Sequence, residues 1–297
     1  MPEAETTMTG KVCVVTGGNS GIGLETVRAL AAMGATVALV SRDKRKGEAA
    51  ARDIRKKYPA ARVDVLTADF ASLANVRQLA EDIQTRYSRL DVLVNNAGVM
   101  VERRKLTRDG YEINFQVNYL APFLLTNLLL DRLKASAPAR IVNVSSAAHM
   151  SGRLRWDDYD GRWRVGGWRS YGDSKLALVM FTRELARRLE GTGVTVNSLH
   201  PGVIASGFAQ EQGNISGLFF KFFRPFLSTT EKGAQTQTYL ATSPEVEGMS
   251  GEYFVGKHTR RAAPRAYDDD ASRRLWDVSA RLVGLEATAE RASTATA

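Results

Sequence analysis

The chain has 297 residues, of which 44% are hydrophobic and 25% charged, and its formal net charge is +9. That length suits one large α/β domain or two small ones, and the composition is typical of a globular protein. The single cysteine, Cys13, excludes an intramolecular disulfide framework and a thiolate zinc cluster, and no metal site is predicted. No signal region or apolar run of membrane-spanning length is found, so we expect a cytoplasmic protein.

A glycine-rich turn between a predicted strand and a predicted helix opens the chain. Residues 11–16 are a short apolar run, and residues 24–34 follow helical spacing. A turn of this kind lets the backbone close on a pyrophosphate, to which the helix N-terminus presents free N–H groups. A plain glycine-rich loop is the alternative, and the strand–turn–helix order favours the anion site. The predicted binding residues are Gly17, Asn19, Ser20, Gly21, Ile22 and Gly23.

The second predicted strand, residues 35–40, ends in a basic sequence. Ser41 occupies the place where a carboxylate would bind the ribose hydroxyls of NAD, and it is too small and neutral to do so. The guanidinium of Arg42 matches a 2′-phosphate in charge and in bidentate geometry. Residues 44–46 are interpreted as a solvated helix start, while Asp43 is a carboxylate that argues against a phosphate. The sequence therefore predicts NADP(H) rather than NAD(H).

The third and fourth predicted strands also end in candidate ligand contacts. Asp69 and Phe70 follow the strand at 62–67, and Asp69 either accepts from an adenine amino group or only stabilises a turn. After the fourth strand, residues 90–94, come amides and small side chains that allow close approach to a ribose. The predicted contacts there are Asn95, Ala97 and Gly98.

A long helical pattern covers about residues 111–134, and Pro122 in its interior predicts a bend. Asn118 lies one turn before that proline on a mostly apolar helix, so it needs hydrogen-bond partners if it is buried. The next apolar segment predicts a fifth strand, which carries Ser145 and Ser146 at its carboxyl end.

Tyr171 and Lys175 stand at the start of a long amphipathic helix. Because they are four residues apart, both side chains lie on one face of that helix. A nearby ammonium favours the phenolate and lowers the tyrosine pKa, although a shift from about 10 to about 7 requires about 4 kcal/mol. One lysine rarely provides so much, whereas a cationic cofactor ring beside it would. A buried tyrosine with a snorkelling lysine is the alternative for this pair alone.

The remaining elements complete an α/β pattern. They are a sixth strand ending at Pro201 and Gly202, a helix over 231–243, a strand over 250–255 and a helix near 271–283. Six strands alternating with helices, then one more strand, predict a doubly wound parallel sheet with helices on both faces. We expect a single domain over residues 1–297, with its core at about 10–257 and a C-terminal helical extension at about 258–297.

Taken in order, these motifs resemble the short-chain dehydrogenase/reductase family along almost the whole chain. The matching segments are TGGNSGIG, ADF, NNAG, the helix Asn118, the strand-end serine pair, YGDSK and HPG. VNVSSAAH, SGEYF and RLWDVS are similar to the retinol dehydrogenase branch of that family. The resemblance implies a Rossmann fold and an oxidoreductase that interconverts a carbonyl and an alcohol.

The resemblance also implies roles for single residues. Tyr171 would be the acid/base, and Ser146, the second serine of its pair, would hydrogen-bond the substrate oxygen. Lys175 would hold the nicotinamide ribose and lower the pKa of Tyr171. Asn118 would anchor a water that links Lys175 to solvent. The remaining cofactor contacts would be Pro201, Gly202, Val203 and Ser206.

An aromatic segment at residues 218–227 follows the sixth strand, beside the crevice where open α/β sheets bind ligands. The family places its substrate-binding flap here, and Phe219–Phe226 holds five phenylalanines. This surface is a lid over an apolar substrate, a core or subunit-interface patch, or a membrane contact. With Trp156, Trp163 and Trp168 on the other side, a lid predicts retinal-like or long-chain carbonyl substrates. The sequence leaves open whether the protein forms a homo-oligomer.

Two other function classes remain. A silent NADP-binding sensor or scaffold would usually have lost a catalytic residue, and Ser146, Tyr171, Lys175 and Asn118 are all present. The positive net charge suggests nucleic-acid binding, but the basic residues are scattered and form no recognised module. We therefore expect a small-molecule substrate and no nucleic-acid partner.

Overall fold

The computed structural model describes residues 7–159, 165–202 and 229–285. Within them, one eight-stranded sheet has the order β3-β2-β1-β4-β5-β6-β7-β8. The strands are β1 (Val12–Thr16), β2 (Thr36–Ser41), β3 (Arg62–Thr67), β4 (Val92–Asn95), β5 (Ala139–Val144), β6 (Val194–His200), β7 (Tyr253–Val255) and β8 (His258–Thr259). The first seven pair in parallel, as predicted, and β8 adds an antiparallel edge to β7. Sequence analysis missed β8 because two residues are too few to show an alternating pattern.

The helices cover both faces of the sheet. They are α1 (Gly21–Ala32), α2 (Lys44–Lys57), α3 (Leu73–Arg86), α4 (Ile113–Phe115), α5 (Ala121–Ala135), α6 (Gly167–Arg188), α7 (Thr230–Thr242) and α8 (Asp269–Val283). Successive residues of β1 point to opposite faces of the sheet and belong to two hydrophobic cores. Val14 lies in the core with α3, α5, α6 and α8, and Val15 lies in the core with α1, α2 and α7. Strands buried on both sides must be apolar on both sides, which explains their continuous apolar runs. Among the helices that the structure describes, none is long and apolar enough to cross a bilayer.

The order of the strands places a crevice beside β1. This strand pairs with β2 on one side and with β4 on the other, so the chain reverses its direction of winding there. In open α/β sheets, ligands bind at such a point, outside the carboxyl ends of the strands. The motifs predicted at the ends of β1, β2, β4, β5 and β6 therefore meet at one edge.

The helix predicted over residues 111–134 is interrupted in an unexpected way. Between α4 and α5, residues Gln116–Leu120 form a π-helical segment with Asn118 at its centre. Pro122 stands in the first turn of α5, where a missing N–H is tolerated, and the bend expected at the proline stays a prediction. Single-turn π segments are frequent at functional sites.

The last described helix, α8, packs on the outside of α5 and α6. The Trp276 ring centre lies 5.1 Å from that of Phe123 and 5.8 Å from that of Phe181. The Arg188 guanidinium lies over the Trp276 ring, 4.1 Å from its centre. The predicted C-terminal helix is confirmed, and the division of the chain into a core and an extension stays a prediction.

Candidate active site

A cavity of about 1170 Å³ opens at the carboxyl edge of the sheet. Ligand pockets typically measure about 300–1000 Å³, so this one has room for an extended ligand. Of the predicted site residues, those that line it are Gly17, Asn19, Ser20, Gly21, Ile22, Gly23, Arg42, Asp69, Phe70, Ala97, Gly98, Ser146, Tyr171, Lys175, Pro201 and Gly202. Val203 and Ser206 lie outside the described residues. The fold thus gathers motifs from most of the chain around one space.

The glycine turn after β1 fits a pyrophosphate. Gly17 has a φ of 65°, and a Cβ there would lie 3.1 Å from the Cα of Ala97. A Cβ on Gly23 would clash with the carbonyl oxygen of Gly17 and with the amide of Asn96. Ser20 precedes α1 without a side-chain capping bond, so the first N–H groups of the helix face the turn. Only glycines allow this close packing at the start of the helix.

The end of β2 presents positive charge to the cavity. The Ser41 hydroxyl donates to the carbonyl of Asp43 at 2.8 Å. Asp43 is the N-cap of α2, and its Oδ1 accepts from the backbone N–H groups of Arg45 at 2.9 Å and Lys46 at 3.2 Å. This carboxylate therefore stabilises the helix start. Arg42 and Lys46 both line the cavity.

Asp69 both stabilises the turn in which it stands and lines the cavity. Its Oδ1 accepts from the backbone N–H of Ala71 at 3.0 Å, which stabilises the turn after β3. The side chain also lines the cavity, next to the buried ring of Phe70. The two alternatives raised by the sequence are thus compatible, and the adenine contact stays a prediction.

Asn95, like Asn118, is a predicted site residue that does not line the cavity. Its Nδ2 donates to Thr126 at 3.0 Å and to Asn143 at 2.9 Å, inside the core beneath the sheet edge. The neighbouring Asn96 lines the cavity instead, and its amide donates to the carbonyl of Thr16 at 2.7 Å. Successive side chains of a strand point to opposite faces, so a shift of one residue decides which asparagine faces the cavity.

Tyr171, Ser146 and Lys175 meet in one wall of the cavity. The Tyr171 hydroxyl is hydrogen-bonded to Ser146. Lys175 Nζ lies 5.7 Å from the centre of the tyrosine ring and donates to the carbonyl of Val144 at 2.9 Å. Ser145 is buried and donates to the backbone carbonyl of Lys175 at 2.9 Å. The second serine of the pair is thus the one beside the phenol.

Burial dominates the ionisation of this pair. It raises the pKa of Tyr171, and the hydrogen bond with Ser146 only partly opposes that rise. Burial also lowers the pKa of Lys175 to about 8. The predicted lowering of the tyrosine pKa is therefore not produced by the protein alone, because desolvation of the phenolate is the largest influence on it. A raised pKa keeps Tyr171 protonated, which suits a proton donor.

Asn118 has the partners that its burial requires. Its Oδ1 accepts from the N–H of Val99 at 2.7 Å, and its Nδ2 donates to the Val99 carbonyl at 2.9 Å and to Ser174 at 3.1 Å. Four residues on, Pro122 has no N–H to donate to the main-chain carbonyl of Asn118. The water contact expected at Asn118 stays a prediction.

The profile of the short chain dehydrogenase family matches residues 11–215. The chain belongs to the short-chain dehydrogenase/reductase family. It is 46% identical to retinol dehydrogenase 13 from Homo sapiens over 295 residues, covering 97% of this chain and 89% of that protein. It is 44% identical to retinol dehydrogenase 12 from Mus musculus, covering 93% and 87% of the two chains.

Solved structures of similar proteins agree with this short-chain dehydrogenase/reductase fold. An uncharacterised protein from Mycobacterium paratuberculosis superposes with a TM-score of 0.75 at 34% identity, covering 94% of this chain and 95% of the other. The NADP complex of RhlG from Pseudomonas aeruginosa superposes with a TM-score of 0.68 at 28% identity, covering 85% and 96%. The predicted Rossmann fold is confirmed.

The enzyme class follows from these relatives. The chain is a retinol dehydrogenase-like short-chain dehydrogenase/reductase, which uses a nicotinamide cofactor and acts on the CH–OH group of donors. The alternative of a catalytically silent binding protein is therefore not supported.

The lining residues that were absent from the predicted site include Lys46, Asn96 and His200. His200 ends β6, and its Nδ1 accepts from the backbone N–H of Ala147 at 3.3 Å. Burial lowers the pKa of His200, which favours the neutral ring that this acceptor role requires. Its position at a strand end, next to Pro201, was the available signal. No sequence feature indicates that the Lys46 side chain points toward the cavity.

Proposed function

We propose that the protein is an NADP(H)-dependent oxidoreductase that interconverts an apolar aldehyde or ketone and its alcohol. The observation that carries the proposal is the hydrogen-bonded pair of Tyr171 and Ser146, beside Lys175, in the wall of a cavity that also contains the glycine turn. Oxidation of NADPH with a panel of aldehydes and ketones tests it directly. A protein that binds NADPH and reduces no member of the panel would contradict it.

The side chains divide the chemistry of reduction among them. A bound nicotinamide supplies the hydride. Tyr171 donates a proton to the carbonyl oxygen, while Ser146 donates a hydrogen bond as negative charge develops there. Lys175 is charged at neutral pH, since its pKa is about 8, and it holds the ribose and returns a proton toward Tyr171. The carbonyl of Asn118 anchors the water through which that proton is replaced.

Selectivity for NADP(H) is supported by the charges at the end of β2. Arg42, Asp43 and Lys46 all line the cavity, so two cations face one carboxylate, and Asp43 is also engaged in capping α2. A charge-assisted hydrogen bond contributes about 1.5–3 kcal/mol, which is about tenfold or more in binding.

We expect Arg42→Ala to raise the KM for NADPH about tenfold or more, with little effect on NADH, because one charge-assisted contact to the 2′-phosphate is lost. Combining it with Ser41→Asp should turn the preference toward NADH. Lys44→Ala is the matched control, since Lys44 is an exposed cation in the same turn that does not line the cavity. Equal kcat/KM of the parent protein with both cofactors would contradict NADP(H) selectivity.

An apolar substrate is supported by a tryptophan beside the catalytic tyrosine. Trp168 is 58% exposed, and its ring centre lies 5.6 Å from that of Tyr171. A substrate whose carbonyl is hydrogen-bonded to Tyr171 would place its hydrocarbon part against the indole of Trp168. Trp156 packs instead against Tyr159, with ring centres 5.7 Å apart. Trp163 and the phenylalanine-rich residues 218–227 lie outside the described residues.

Along a series of lengthening aldehydes, KM should fall several-fold, because each buried methylene contributes about 0.8 kcal/mol. Trp168→Ala should flatten this series more than Trp168→Phe, which keeps an aromatic ring. The measurement is the ratio of kcat/KM between a long and a short aldehyde in each variant. A flat series in the parent, or a preference for sugars, contradicts the apolar substrate.

The cellular setting of the enzyme is part of the proposal. A cytoplasmic location is supported by the lone cysteine. A peripheral membrane contact and a homo-oligomer both depend on the aromatic segment outside the described residues, and they stay predictions.

A further inference from the structure

Two buried hydrogen bonds join α6 to the helical segment that carries Asn118. Glu112, the N-cap of α4, accepts from the hydroxyl of Ser170. Asn118 donates to the hydroxyl of Ser174 at 3.1 Å. Glu112 and Ser174 are both 0% exposed. Polar groups at this depth are expensive to bury unless they are paired, so these contacts are specific points of attachment.

The two contacts fix the rotation of α6 about its own axis. Ser170 and Ser174 are four residues apart, so they lie on one face of the helix, one turn from each other. Tyr171 and Lys175 each follow one of these serines directly. A rotation or slide of the helix at the serines is therefore carried to both catalytic side chains. A misplacement of about 1 Å at a reacting group can cost about 100-fold in rate.

Glu112 is itself held firmly. Its carboxylate accepts from the N–H of Phe115 at 3.0 Å and from the amide of Asn114 at 3.0 Å. Asn114 in turn accepts from the N–H of Val101 at 2.7 Å and donates to its carbonyl at 3.0 Å. Burial raises the pKa of Glu112, and the hydrogen bonds that it accepts oppose that rise. The carboxylate is thus a fixed acceptor at the junction with α6.

The start of α6 also lies directly on the backbone that follows β4. A Cβ on Gly166 would lie 2.5 Å from the Cα of Arg104, and one on Gly167 would clash with the carbonyl of Glu102. Such contact leaves the first turn of the helix little freedom to shift sideways. The motion left to α6 is rotation about its own axis, and the hydrogen bond to Glu112 restricts that rotation.

We propose that Glu112 is a positioning residue that acts through Ser170 to orient Tyr171 and Lys175 for proton transfer. Neither Glu112 nor Ser170 lines the cavity, so the role assigned to Glu112 is one of positioning and not of contact with substrate or cofactor. The inference rests on the proposed function, because the rate that it affects is that of carbonyl reduction.

The test is Ser170→Ala in the full chain. This change removes the hydroxyl that joins the helices and leaves the hydrogen bonds that Glu112 accepts from Phe115 and Asn114 intact. We expect kcat for aldehyde reduction by NADPH to fall about tenfold, because Tyr171 is misaligned, while the Kd for NADPH changes less than about twofold. Amide hydrogen exchange over residues 167–175 should become faster, which is a readout independent of turnover.

Ser279→Ala is the matched control, because Ser279 is also fully buried and hydrogen-bonded to Tyr119 at 2.7 Å. It should keep the parent kcat at a comparable Tm. Glu112→Gln keeps an oxygen acceptor for Ser170, so its loss of kcat should be smaller than that of Ser170→Ala.

Three results would overturn the proposal: a parent-like kcat in Ser170→Ala, an equal loss in Ser279→Ala, or a larger loss in Glu112→Gln. A parent protein that reduces no carbonyl would refute the proposed function instead. Hydrogen exchange then decides the positioning role, since unchanged exchange in Ser170→Ala refutes it and faster exchange in that variant alone supports it.

Discussion

Tyr171→Phe should give a folded protein that still binds NADPH and has lost about 10²–10⁴-fold of its turnover, the usual contribution of a general acid or base. The change removes one hydroxyl, the group that we assign to proton donation. Its partner Ser146 keeps a second contact, since its Oγ accepts from the N–H of Ala148 at 3.2 Å. The serine should therefore stay in place, and the loss should appear in kcat.

The measurement is single-turnover reduction with saturating NADPH, so that product release does not hide the chemical step. Tyr239→Phe makes the same change on α7, where the hydroxyl donates to Glu245 at 2.9 Å, and it should keep the parent rate. More than a tenth of the parent rate in Tyr171→Phe, with chemistry limiting, would exclude this tyrosine from the role.

Lys175→Met should abolish most activity and weaken NADPH binding without lowering stability at neutral pH. Burial holds the pKa of Lys175 at about 8, against an ordinary value of 10.5. At 1.36 kcal/mol per pKa unit, that burial costs the folded protein about 3 kcal/mol, and methionine removes the cost. The hydrogen bond to the carbonyl of Val144 is lost in exchange, and it contributes about 1 kcal/mol.

The pH dependence gives this prediction a direction. Between pH 8 and 10.5 the unfolded chain binds more protons at Lys175 than the folded one, so the stability of the parent rises with pH. The gain from methionine is therefore largest below about pH 8 and shrinks as the pH rises toward 10.5. Urea unfolding of both proteins across this range measures it. A variant less stable than the parent at pH 7 would contradict the buried ammonium.

The fold was predictable because a doubly wound sheet has strong local signals. The apolar strands and the amphipathic helices appear close to their predicted bounds. Side-chain direction was harder: the strand-end asparagines look equivalent in sequence, and the register of β4 turns Asn95 inward and Asn96 outward. Asp43 was similarly ambiguous until its capping bonds were seen.

The interruption before α5 had no signal of comparable strength. Pro122 indicated that the helix is irregular. The extra residue of the π segment lies before the proline, around Asn118. The link between Glu112 and Ser170 joins residues far apart in the chain, and sequence patterns of short range do not report such pairs. Both features depend on how the two helices meet.

The burial of Cys13 in β1 makes the reactivity of its thiol a probe of whether the central strand is folded. The thiol is 0% exposed in the middle of the sheet, and burial raises its pKa, so the reactive thiolate is suppressed in the folded state. It is also the single thiol of the chain. Alkylation of the protein by a thiol reagent therefore proceeds through molecules whose sheet has opened. Its rate, with and without NADPH, measures how much a ligand in the cavity holds the β1 and β4 strands together.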